Sequence, residues 1–99
     1  MFHKREEKNF ALLNAGERCS LAEVPQGEVF RIVEIKGGPG LHRRLLALGF
    51  HRGDRVILDG EAPMRGPLLI RNLTTETRVA LGRGIAQKIF VEPVSKDEG

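Results

Sequence analysis

Between Gly40 and Val56 the apolar positions change from helical to strand spacing within seventeen residues. Leu41, Leu45 and Leu48 fall at i, i+4 and i+7, which predicts a short helix over about residues 40–48 with one face buried in a core. Gly49 suits the left-handed position just past a helix end, and Phe50 is placed to close back on the last turn. Leu46 lies on a different side of the helix and is a candidate for an exposed apolar contact.

Elsewhere the pattern is that of short strands. Glu28–Lys36 is rich in β-branched residues, with Phe30 and Ile32 on one parity and Val29, Val33 and Ile35 on the other. A strand that is bent or bulged, changing its buried face midway, accounts for both parities being apolar. Further strands are predicted at Arg55–Asp59, Pro67–Leu73, Arg78–Gly82 and Ile89–Val94, with a loop or wide bulge from Gly60 to Gly66 and a helical turn over Arg83–Lys88. Ser20–Val24 reads as a brief strand or turn, and Pro25-Gln26-Gly27 as a tight turn. Strands at about ten-residue spacing with turn residues between them predict a mostly β fold, a small barrel. The domain is expected to occupy residues 21–94. Residues 1–20 are expected to form a partly disordered extension, within which Phe10–Leu13 adds a short apolar stretch, and residues 95–99 a disordered tail.

Composition narrows the function. Five Phe are the only aromatics, which weighs against a reader of proline-rich peptides or a base-stacking nucleic-acid platform. The net charge of +3 is small for a nucleic-acid binder. Within the basic set, however, Arg outnumbers Lys by 11 to 5, and Arg-rich surfaces suit protein contacts. A single cysteine, Cys19, rules out an intramolecular disulfide and fits a reducing compartment. With no apolar run of signal-peptide or membrane-spanning length, the reading is a soluble, cytoplasmic protein without direct membrane insertion.

Candidate chemistry is sparse. His3, His42 and His51 are not spaced to place two metal ligands on one face, so no metal site is assigned. Gly37-Gly38-Pro39-Gly40 precedes a helix but lacks the Gly-Lys-Ser/Thr ending of a phosphate loop, and reads as a tight turn. No Ser/His/Asp set or carboxylate pair supports catalysis, no base accompanies Cys19, and no cofactor is expected.

Several elements in order carry a family likeness: Gly27, the run Arg43-Arg44-Leu45-Leu46-Ala47-Leu48-Gly49-Phe50, Gly53 with Val56, Ala62-Pro63, Gly66-Pro67-Leu68, Val79-Ala80-Leu81, and Ala86 with Ile89 and Val91. Together, over roughly residues 21–93, they resemble the ferrous iron transport protein A (FeoA) family. The resemblance implies an SH3-like barrel and a small cytoplasmic accessory protein of bacterial ferrous iron uptake, not an enzyme. The implied partner is the cytosolic GTPase domain of FeoB, the iron permease. The same module also ends metal-dependent transcriptional repressors, so a regulatory domain acting on another partner is the alternative reading. No nucleic-acid partner is expected, and weak self-association stays open. The surface expected to bind is the helix and its exit, Arg43, Arg44, Leu46, Phe50 and Arg52, with a second patch at Pro63, Met64 and Arg65, where Met suits an adaptable apolar contact.

Overall fold

The computed structural model describes residues 17–94, so the expectations for residues 1–16 and 95–99 lie outside the described residues. Six strands form one antiparallel sheet: β1 (Cys19–Ser20), β2 (Val29–Ile35), β3 (Arg55–Glu61), β4 (Leu68–Asn72), β5 (Thr77–Leu81) and β6 (Ile89–Pro93). Their order in the sheet is β1-β6-β2-β3-β4-β5. A 3-10 turn (Leu21–Glu23) follows β1, helix α1 (Pro39–Ala47) joins β2 to β3, and a one-turn helix α2 (Arg83–Ala86) joins β5 to β6. The fold is mostly β, as the sequence predicts. The first strand pair begins at Cys19, two residues ahead of the domain start read at Leu21, and β3 runs on to Glu61 through residues expected to form a loop.

Two bulges bend this sheet around its core. Against β6, the β2 register shifts between Ile32 and Glu34, leaving Val33 as the extra residue. Phe30 and Ile32 are buried before the shift and Ile35 packs on the core after it, which is the change of face that the mixed parity implies. A second shift in β3, between Leu58 and Gly60, makes Asp59 the extra residue against β4. The enclosed core joins Phe30, Ile32, Val56, Leu58, Leu68, Ile70, Leu81, Ile89 and Val91 of the strands to Leu21, Val24, Leu45, Phe50 and Ala86. Each large side chain removed from water here contributes about 2 kcal/mol.

Helix α1 starts with Pro39, whose missing N–H costs nothing in a first turn. Its end is a Schellman closure: Phe50 N–H donates to Leu45 C=O at 2.9 Å and Gly49 N–H to Leu46 C=O at 2.9 Å, with Gly49 at φ +93°. That closure corrects two expectations. Leu48 stands at the C-cap, where the chain leaves helical geometry, and is 40% exposed rather than in the core. Phe50 takes the core position instead and is fully buried, so it cannot belong to a contact surface.

Core-facing positions in β4 are Leu68, Ile70 and Asn72, and the polar third member is fully buried. Its carboxamide is satisfied on every side. The Nδ2 donates to Gly49 C=O at 3.1 Å and to Asp54 Oδ2 at 2.9 Å, while Oδ1 accepts from Thr74 N–H at 2.9 Å and Thr75 N–H at 3.1 Å. Asp54, itself buried, also accepts from His51 N–H at 2.9 Å. One side chain therefore ties the end of α1 and its exit turn to the β4–β5 turn. Asn72→Leu roughly keeps the volume but takes one of its donors from the buried Asp54 carboxylate and strands the Gly49 carbonyl and two amides. The unfolding free energy is expected to fall by about 3 kcal/mol, read as a lower urea midpoint; an unshifted midpoint contradicts this role.

Candidate functional site

Anchored on one side by buried Leu45 and half-buried Leu41, α1 turns its other side to solvent. Leu46 is 53% exposed, and Arg43 and Arg44 beside it are exposed as well. Arg44 sits in the last turn, where the helix dipole favours a cation. The exit turn continues this surface with exposed His51 and Arg52. It is held rigidly: Gly53 N–H donates to Ile32 C=O at 2.7 Å and Ile32 N–H to Asp54 C=O at 2.9 Å, fastening the turn to β2. The structure thus brings Arg43, Arg44, Leu46 and Arg52 to one end of the barrel, adds Leu48 to them, and removes Phe50.

The guanidinium groups at this end differ from those on the flanks. On the flanks of the barrel Arg18 pairs with Glu34, Arg31 with Glu92, Arg71 with Asp59 and Arg83 with Glu61. The Arg71 fork reaches Asp59 at 2.9 and 3.1 Å. Those hydrogen bonds, with the nearby charges of Arg71 and Arg78, hold the Asp59 carboxyl below the usual carboxylate range. Arg43, Arg44 and Arg52 have no ion pair among the described residues, and the only carboxylate in the exit turn, Asp54, is buried.

Met64 and Arg65 lie at the far end of the β3–β4 ladder, separated from the α1 end by the span of a seven-residue strand, about 20 Å. The two candidate patches are therefore not one surface. Both residues are left-handed, at φ +62° and +58°, and Gly66 N–H closes the turn onto Pro63 C=O at 3.1 Å. A left-handed backbone costs a residue with a Cβ roughly 1–2 kcal/mol. Met64 is 96% exposed. From α2, the Arg83 guanidinium braces this turn, donating to Arg65 C=O at 3.3 Å and to the Glu61 carboxylate. Nothing in the local pattern around Arg83 announces that role, since its partners lie 18 and 22 residues away.

With this geometry the chain matches the FeoA domain model over residues 19–93. It belongs to the FeoA family. A protein of Methanocaldococcus jannaschii named as an Fe(2+) transport protein A is 33% identical over 72 residues, 73% of this chain and 83% of the relative. Among solved structures, an iron uptake regulatory protein (FeoA) superposes with a TM-score of 0.69 at 27% identity, covering 79% of this chain and 100% of that one. FeoA of Stenotrophomonas maltophilia, solved as a zinc complex and described as a prokaryotic SH3-domain protein, gives a TM-score of 0.61 at 27% identity, covering 74% and 88%. A manganese-dependent transcriptional repressor shares the fold alone, with a TM-score of 0.72 at 18% identity, and this chain spans 45% of it. This FeoA chain is an SH3-like member of a family of ferrous iron transport accessory proteins.

Among the described residues of this FeoA, no three His, Cys, Asp or Glu side chains converge as metal ligands, and no helix is long and apolar enough to cross a membrane. His42 and His51 are exposed, and His3 lies outside the described residues. Cys19 packs partly against the core; burial, reinforced by the charge of Glu23, pushes its thiol up to about 11. Because the folded chain holds this proton more tightly than the unfolded one, the associated stability is complete below about pH 9 and lost as pH rises towards 11. At pH 8 iodoacetamide is expected to alkylate Cys19 in the native protein slower than in urea by about tenfold or more; equal rates contradict the shift.

Proposed function

We propose that this FeoA is a cytoplasmic docking module with no catalytic activity of its own, acting on the cytosolic GTPase domain of a FeoB-type ferrous iron permease. The observation that carries the reading is the solvent side of α1 and its exit, where Leu46 is exposed one turn from Arg43, with Arg44, Leu48 and Arg52 exposed at the same end of the barrel. Exposed leucine and guanidinium groups with no ion pair among the described residues suit a protein surface that offers apolar area with carboxylates beside it. Rigid fastening of the exit turn supports the same reading, because a preformed surface loses less entropy on binding. Family membership supplies the transport context, and the FeoB domain is the soluble component of that system on which such a surface acts. Likeness to the manganese-dependent repressor supports a shared fold and gives no reason to prefer a transcriptional partner.

Calorimetric titration of the full chain with the purified GTPase domain tests this directly. Wild-type protein is expected to bind, and Arg44→Glu with Leu46→Asp is expected to weaken binding about tenfold or more while the melting temperature stays close to wild type, since both side chains are exposed. Unchanged affinity in the double variant removes this surface from the proposal. Failure of the wild type to bind overturns the choice of partner.

A further inference from the structure

The β3–β4 turn is built against its own backbone preference. Consecutive positive φ angles at Met64 and Arg65, closed by the Gly66 to Pro63 hydrogen bond, form the type I′ turn for which Asn-Gly is the favoured pair. The chain places its longest flexible apolar side chain and a guanidinium there instead. Neither is needed for packing: Met64 is almost wholly in solvent, Arg65 is exposed, and Arg65 has no ion pair among the described residues. Three contacts nevertheless keep the turn in this shape. Arg83 grips the Arg65 carbonyl and Glu61, Ala62 N–H donates to Pro67 C=O at 2.9 Å, and at Gly66 a Cβ would stand 3.0 Å from both Ala62 Cβ and Pro63 C=O, so a larger residue there would push these neighbours back by a few tenths of an ångström. Strain that is retained and braced at an exposed tip marks side chains kept for contact rather than for folding.

We propose that this turn is a preformed docking finger, in which Met64 enters an apolar pocket on a partner protein and Arg65 pairs with a carboxylate at the pocket's rim. The inference rests on the reading of the protein as a docking module, and adds a second contact at the end of the barrel away from α1. The chemistry of the partner follows from the finger: a polarizable, adaptable thioether suits an apolar pocket, and an unpaired guanidinium suits an acidic edge.

The test replaces the tip by the pair its backbone prefers, Met64→Asn with Arg65→Gly, in the full chain, and measures both melting temperature and affinity for the purified FeoB GTPase domain. Relief of strain is expected to raise the melting temperature by about 5 °C or more, while affinity falls by about 30-fold. A second variant, Met64→Gln, keeps the backbone cost and the Arg65 charge; it is expected to melt with the wild type and still bind more weakly. A more stable Asn-Gly variant that binds as the wild type does overturns the finger and leaves the α1 surface standing. A variant that melts no higher than the wild type overturns the strain on which the finger is argued, whatever the affinity. Loss of binding in the wild type itself counts against the choice of partner, and is distinguished by the melting temperatures, which need no partner.

Discussion

A single buried carboxamide holds the exit of α1 against the turn between β4 and β5. Asn72 occupies a core position of β4 and uses both donors and two acceptor sites at once, on Gly49, Asp54, Thr74 and Thr75. Each partner belongs to a stretch of backbone that has left regular structure, where amides and carbonyls lack ladder partners. Without that side chain the Gly49 carbonyl would lose its partner and Asp54 would keep only its contacts with His51. With it, the helix ends at one place and in one direction. Leu45 and Leu41 decide which side of α1 faces solvent, and the tether fixes the exit that carries Arg52, because the Schellman closure delivers Gly49 C=O to Asn72 and Phe50 to the core in the same turn.

Left-handed non-glycine residues occur in two turns, at Met64 and Arg65 in one and at Glu76 in the other, and only the first places two in succession. Along the sheet, arginines meet carboxylates across or beside strands, as Arg71 meets Asp59 and Arg31 meets Glu92. At the α1 end the guanidinium groups are unmatched among the described residues, while at the opposite end of β3 the Met64-Arg65 turn keeps an unfavourable backbone. A fold of this size has little stability to spare, and domains generally hold only about 5–15 kcal/mol in total. Keeping a strained turn, and a positive end with no ion pair among the described residues, is therefore informative. Both features sit on the outside of the barrel, and the proposed docking role rests on them.

Much of this was legible along the chain because it depends on neighbours in sequence. The helix, its glycine stop, the strand spacing and the bend in β2 all follow from periodicity and turn chemistry within a few residues. The mixed parity of Phe30, Ile32 and Ile35 pointed to the bulge, since a skipped residue lets both parities of one strand reach the same core. Leu48 and Phe50 went the other way: helical spacing extended one residue too far places Leu48 inside, whereas the closing turn swings Phe50 into that space. Asn72 left a trace as a polar residue on the buried parity of β4, but its partner Asp54 is 18 residues away, and only the folded sheet joins them. Arg83 left none, because its value lies entirely in a hairpin that the chain completed earlier.

The central proposal is that the barrel acts through its two ends, and amide chemical-shift mapping of the labelled full chain titrated with the FeoB GTPase domain tests it most directly. The account predicts perturbations concentrated at Arg43, Arg44, Leu46, Leu48 and Arg52 and at the Met64-Arg65 turn, with the Asn72 side-chain resonances unmoved. Perturbations centred on β1 and β6, or a general shift reaching Asn72 and the core, would contradict it.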